Sequence, residues 1–243
     1  MNNELRETIY SRCSCRSYSS MPVDENTLNA VMAFKPRPLY PEIDYELRLV
    51  SRSEVKCILP WIPQQLLVLY SKKQKGWLEN AGFVLQQLDL YIQSLGLGSC
   101  WLGMGRMDKK SAPAVDGMEF VIMLGFGLPA KSVARSGSEQ FKRKSLIEIS
   151  DREDPLLEPA RLAPSSINSQ PWYFVHSDSA VHLFCRKIGV SGYMNQIDVG
   201  IALAHLSIEH GEAFRHFICP TPPVCRGMKY IISFTIESPI ENS

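Results

Sequence analysis

One ten-residue stretch constrains this chain more than any other: Ala163-Pro164-Ser165-Ser166-Ile167-Asn168-Ser169-Gln170-Pro171-Trp172. It holds two prolines, three hydroxyls, two amides and a tryptophan, too polar for a core strand and too rigid for a linker. The residues before it, Glu158–Leu162, read as a helix end, Pro164 as a sharp turn, and Trp172–Val175 as an apolar strand. Such a turn aims backbone amides and short side-chain donors at a planar, hydrogen-bonding ligand. A second run, Arg12-Cys13-Ser14-Cys15-Arg16-Ser17-Tyr18, gathers two arginines and a serine within five residues. Fixed guanidinium forks beside a hydroxyl are what a phosphate needs.

The 243 residues suffice for one large domain or two small intertwined ones. With a net charge of +1 and scattered Lys and Arg, the chain has no basic block with interleaved aromatics, so nucleic acid is not an expected partner. No apolar stretch reaches membrane-spanning length, and Met1–Glu7 is polar with no signal-peptide core, so no membrane association is expected. Seven cysteines at irregular spacing argue against a disulfide framework and for a reducing compartment. The expectation is a soluble cytoplasmic protein. Cys13 and Cys15 read as small space-fillers, and none of the five histidines has a partner at ligand spacing, so no metal is expected.

The chain also repeats itself. Arg12-Cys13-Ser14 has a counterpart in Arg143-Lys144-Ser145, and the strand Leu47–Val55 lines up with Tyr173–Val181. The helix beginning Asn80-Ala81-Gly82 matches Asp198-Val199-Gly200, and the strand Glu119–Leu124 matches Lys229–Phe234. Four pairs in one order predict two halves, residues 1–130 and 131–243, sharing one core. Each half reads helix, strand, helix, strand. The first long helix, about Leu78 to Leu95, is apolar around much of its circumference and should lie buried between layers, with Gly96 closing its end. Gly125–Ser132 and the polar run to Gln140 read as a surface connection.

The arginine run and the Ala-Pro-Ser-Ser-Ile-Asn-Ser-Gln-Pro-Trp turn together resemble the FMN-dependent nitroreductase family. Gly96-Leu97-Gly98-Ser99-Cys100-Trp101-Leu102-Gly103 is similar to that family's loop after its central helix. About 150 residues separate the run from the turn, far more than in an ordinary member. The first half keeps only prolines where the turn should fall (Ala33–Pro41), and the second has no arginine matching Arg16. The likeness is therefore to the fused, internally duplicated subgroup. It implies an α+β nitroreductase-like fold: mixed, largely antiparallel sheets packed with helices, two repeats fused into a pseudo-dimer with one working and one degenerate site. The chain would be a monomeric pseudo-dimer or would dimerise again.

The same resemblance implies FMN as cofactor, with Arg12, Cys13 and Ser14 at the phosphate and Arg16 nearer the ring. Pro164, Ser165, Ser166 and Asn168 would meet the ring's pyrimidine edge and the ribityl hydroxyls. Cys100, Trp101, Leu102 and Gly103 would lie along the ring, presenting a backbone N–H to N5. Arg143 and Lys144 have two open readings, further cations for the phosphate or a solvated charge cluster. The implied activity passes hydride from NAD(P)H to a nitroaromatic, quinone or similar small aromatic acceptor, with no catalytic side chain because the cofactor carries the chemistry. The alternatives are a flavin-binding sensor without turnover, or a same-fold enzyme acting on flavin or a halogenated phenol, with Pro36–Pro63 as a selecting lid. No glycine-rich dinucleotide fingerprint is present, which suits a reductant that visits and leaves.

Overall fold

The computed structural model describes residues 2–110, 115, 117–186 and 192–237. The first half contributes helices α1 (Asn2–Ser11) and α2 (Glu25–Ala33), then strands β1 (Tyr45–Ser51), β2 (Val55–Lys56) and β3 (Gln65–Ser71). Helix α3 (Trp77–Ser94) follows, then β4 (Gly98–Trp101), β5 (Arg106–Met107) and β6 (Glu119–Gly127). The second half has short helices α4 (Leu146–Ile149) and α5 (Glu158–Leu162), and strands β7 (Trp172–His176) and β8 (Val181–Arg186). It ends with helix α6 (Gly192–His210) and strands β9 (Phe214–Phe217) and β10 (Met228–Ile236).

Two four-stranded antiparallel sheets result, ordered β1-β3-β6-β4 and β7-β8-β10-β9, while β2 and β5 form a small separate ladder. Counted along the chain, the long strands of each sheet lie first, second, fourth, third. The fold is thus α+β with antiparallel sheets packed by helices, in a pseudo-dimeric arrangement.

Helices α3 and α6 form the seam, and two glycines let their backbones touch. A Cβ on Gly82 would sit 2.0 Å from the Ile197 carbonyl oxygen, and one on Gly200 would sit 2.0 Å from the Glu79 oxygen. One offset, 118 residues, relates Glu79 to Ile197 and Gly82 to Gly200. Each helix therefore offers its partner the same pair of positions, as subunits do across a two-fold axis. One hydrophobic cluster spans the seam, joining Leu67, Phe83 and Phe126 to Phe174, Leu203 and Phe234.

Three local expectations need correction. Gly125–Gly127 belong to β6 rather than to a connection, and Gly125 is glycine because Pro63 and Leu102 pack onto it. The strand read over Tyr173–Val181 is two, β7 ending at His176 and β8 starting at Val181, while the polar run after Pro129 does lie at the surface, tied by Ala130 N–H to Ser17 O at 3.0 Å and by Arg135 N–H to Ser11 O at 2.7 Å. The Pro36–Pro63 stretch contains all of β1, so it is no simple lid. Among the described residues no helix is long and apolar enough to cross a membrane.

Candidate active site

The arginine run is placed by the free edge of β4. Ser14 forms a parallel bridge with Ser99, and Cys15 N–H donates to Ser99 O at 2.8 Å. Gly98 permits the approach, since a Cβ there would lie 2.6 Å from the Cys15 Sγ.

Beneath it, α3 turns a polar stripe inward. Gln86, Asp89 and Gln93 share one helix face. Asp89 accepts from Arg12 Nε (3.0 Å), Gln86 Nε2 (3.0 Å), Ser99 Oγ (2.5 Å) and Gln93 Nε2 (3.3 Å). Gln93 Oε1 receives the Cys13 N–H at 2.9 Å, and Gln86 Oε1 receives Trp101 Nε1 at 3.2 Å. The network reaches α6 through His205, whose Nε2 lies 3.2 Å from Gln86 Nε2 while its Nδ1 lies 2.9 Å from the Pro159 carbonyl. Only the neutral ring fits there, donating from Nδ1 and accepting at Nε2. Burial, helped by the positive charges of Arg12 and Arg143, pushes its pKa down to about 3.

The turn between α5 and β7 is held in an unusual conformation. Ile167, Asn168 and Gln170 all have positive φ, at 48°, 58° and 44°. A β-branched residue there is strained, and Ile167 is also 96% exposed. What fixes it is a ring of hydrogen bonds. Ser166 N–H donates to both oxygens of Asp198 on α6 (3.0 and 3.1 Å), and Gln170 N–H donates to Ser165 Oγ (2.9 Å). Arg143 donates to Ala163 O (3.0 Å) and to Asn168 Oδ1 (2.5 Å), and Asn168 Nδ2 to Lys142 O (2.8 Å). Lys144 Nζ reaches Ser169 O (2.8 Å) and Gln170 O (3.2 Å).

Between the run and the turn lies a cavity of about 380 Å³. The first half supplies Ser14, Arg16, Leu59, Trp61, Cys100, Trp101, Gly103 and Met104; the second supplies Pro164–Ile167, Met194, Asp198 and Ile201. Eight predicted site residues therefore line one cavity: Ser14, Arg16, Cys100, Trp101, Gly103, Pro164, Ser165 and Ser166. Arg16 lies 5.7 Å from the Trp61 ring centroid, so two residues of the expected lid do reach the cavity, Leu59 and Trp61. Asp198 is 1% exposed, and burial raises its carboxyl to about 7.

Six predicted residues do not line it. Arg12, also 1% exposed, spends its Nε on Asp89 and reaches Ser14 Oγ at 3.3 Å. Cys13 is tied by its N–H to Gln93. Leu102 is buried beneath β6 and its N–H is used by Met123 O at 3.0 Å, which leaves Gly103 as the loop glycine bordering the cavity. Asn168, Arg143 and Lys144 brace the turn from behind, so Arg143 and Lys144 are not a solvated cluster.

Sequence reading missed Arg135. Its guanidinium hydrogen-bonds the Arg12 carbonyl oxygen and lies 4.2 Å from the Phe141 ring centroid, with Arg143 5.8 Å from the same ring. Burial first, then Arg12, Arg135 and Arg161, lowers the Arg143 pKa to about 10. Positive charge thus accumulates beside Cys13 and Ser14, with Asp89 the carboxylate paired to Arg12. No motif surrounds Arg135; only the fold brings it here. Asp89, Gln86 and Gln93 were also missed, although polar residues at i, i+3 and i+7 of an apolar helix were a readable signal.

Fold and site together place one cavity across a pseudo-two-fold seam, lined from both halves. The family model described as "Putative TM nitroreductase" matches residues 4–210, and the chain belongs to that family. A crystal structure of a "putative nitroreductase" from Thermotoga maritima superposes with a TM-score of 0.65 at 17% identity, covering 96% of this chain and 93% of that one. A nitroreductase family protein from Clostridium difficile gives 0.48 at 17% identity, over 61% of this chain and 96% of that one. A nitroreductase with bound FMN from Bacteroides fragilis gives 0.42 at 19% identity, over 53% and 89%. No curated protein matches.

Proposed function

We propose that this chain is an FMN-dependent oxidoreductase that takes hydride from NAD(P)H and passes it to a small aromatic acceptor, a nitroaromatic or quinone. The observation that supports this most is the cavity, where three distant sequence segments from both halves meet. The residues suit FMN. Guanidinium charge from Arg135 and Arg143, which no carboxylate pairs among the described residues, gathers beside the Asp89-paired Arg12 at the Ser14 end of the cavity, where a dianionic phosphate would relieve their mutual repulsion. Ser165 and Ser166 supply hydroxyls and Gly103 open backbone along the walls.

When bound, FMN would accept and release hydride at its ring. The protein's share is binding, orientation and field. Arg16 puts a cation in the cavity where reduction would add negative charge. The strained turn holds Ser165 and Ser166 ahead of binding, so little ordering cost remains. Leu59, Trp61, Met104, Ile167 and Met194 form apolar walls suited to a flat visitor.

On this reading the halves at 1–130 and 131–243 descend from one duplicated unit, with the flavin site formed once. The seven free cysteines support a reducing compartment such as the cytoplasm. The test is the flavin content of the purified protein. About one FMN per chain and rapid bleaching by NADH or NADPH are expected. Bound FMN without bleaching would instead support a sensor, and a colourless protein that binds no added FMN would overturn the proposal.

A further inference from the structure

The turn holding Ser165 and Ser166 is fastened to α6 by Asp198, and the other half shows that a carboxylate is not needed for that task. The 118-residue offset that relates the two seam glycines also relates Asp198 to Asn80. Asn80 fastens its own segment: Oδ1 accepts from the Leu39 and Tyr40 N–H groups at 2.8 and 3.0 Å. Leu39 and Tyr40 lie in Ala33–Pro41, the stretch standing where the first half's turn should fall. A neutral amide thus does this work in one half. The half whose turn borders the cavity carries an acid.

That acid is poorly satisfied. Both Asp198 oxygens share the single Ser166 N–H, and among the described residues no cation or hydroxyl is bonded to them. A buried carboxylate with one donor for two oxygens is a poor place for a resting negative charge. The titratable and charged groups around it are few. Arg16 and Cys100 share the cavity wall. On β8, burial raises the Cys185 thiol, and Glu79, Lys229 and Asp198 all act on it. Burial raises Asp198 to about 7, so its proton comes and goes near neutrality.

We propose that Asp198 is the proton donor of this cavity, delivering a proton from its carboxyl oxygen to an oxygen of the bound acceptor as hydride arrives. The inference rests on the oxidoreductase reading above. For a quinone, hydride brings two electrons and one proton, and the second proton must come from elsewhere. Asp198 supplies it and becomes the carboxylate, the acceptor leaves as the hydroquinone, and water entering the vacated cavity, which Asp198 lines, reprotonates it. Asp198 is then a catalytic residue in a site whose chemistry otherwise belongs to the cofactor.

The test compares wild type with Asp198→Asn, which keeps an oxygen for the Ser166 N–H, as Asn80 does for Leu39 and Tyr40, but holds no proton. Infrared difference spectra of the FMN-free protein should show a protonated-carboxyl band titrating near neutral pH and missing in D198N. With FMN loaded and prereduced, oxidation by a naphthoquinone should be constant below about pH 7 and slow above it. In D198N it should be at least tenfold slower and flat with pH, with the FMN Kd at pH 6 within twofold of wild type. The ratio of naphthoquinone to ferricyanide turnover should fall by the same factor, since ferricyanide needs no proton. A D198N protein with wild-type naphthoquinone rate and pH profile would overturn the proposal, as would a carboxyl band that does not titrate. A chain that takes up no FMN would fail earlier, and would sink the oxidoreductase reading with it.

Discussion

At the scale of single residues, Ile167 and Arg135 make opposite demands. Ile167 occupies left-handed space that costs an L-residue about 1–2 kcal/mol, without burying its side chain in return. Ile167→Gly should therefore raise stability by about 1 kcal/mol in urea unfolding, against the usual penalty for glycine. A loss of stability would mean the turn is not strained as described. Arg135 has no such local cost to relieve, and its value lies in the anion it would meet. Arg135→Ala should weaken FMN binding about tenfold or more, the worth of one charge-assisted hydrogen bond, and a flavin fluorescence titration measures it. The loss should shrink in high salt.

At the scale of elements, the crossing of α3 and α6 leaves no room for a methyl group. Gly200→Ala would drive its Cβ into the Glu79 carbonyl, and Gly82→Ala would do the same at Ile197. Each should cost about 1–3 kcal/mol or more in denaturant unfolding, because backbone cannot yield as a side chain tip can. The two helices and three of the long strands, β1, β6 and β10, were legible in the sequence because their apolar patterns are long. The Gly82 and Gly200 pairing was visible as aligned repeats, but its meaning was not, since no sequence pattern tells a packing glycine from a flexible one. The site was legible where motif and wall coincide, at Ser14, Arg16 and Pro164–Ser166. Motif and wall part where a motif residue faces backward. Asn168, Arg143 and Lys144 belong to the motif region yet brace the turn, and orientation within a turn is set by tertiary hydrogen bonds that no local pattern encodes. Arg135 was invisible for a related reason, lying in a polar run that only folding returns to Ser11.

At the scale of the molecule, two buried groups tilt stability in opposite directions with pH. His205 is held neutral with its pKa lowered to about 3, against about 6.5 unfolded. Its contribution is complete above 6.5 and is lost as pH falls toward 3, by about 1.4 kcal/mol per pH unit. Asp198 is raised to about 7, against about 3.9 unfolded. Its contribution is complete below 3.9 and is lost as pH rises to 7. Between about pH 4 and 6.5 the two slopes oppose each other, and wild-type stability should be nearly level as far as these two groups govern it. His205→Gln should make stability fall with rising pH across that window, and Asp198→Asn should make it rise. Urea midpoints at half-unit pH intervals would show the crossing, and parallel curves for the two variants would refute the assignment.

The cavity draws one wall from residues before position 105 and the other from residues after 163, and a single covalent chain carries both. An assembly of two separate subunits loses its shared sites when diluted below its dissociation constant. Here the second wall is always present at an effective concentration fixed by the linkage, whatever the abundance of the protein. With FMN kept saturating, activity per chain should therefore stay constant down to nanomolar protein. The same tether frees each half to change alone: a substitution in one wall appears once, not twice, so the two walls can drift toward different tasks.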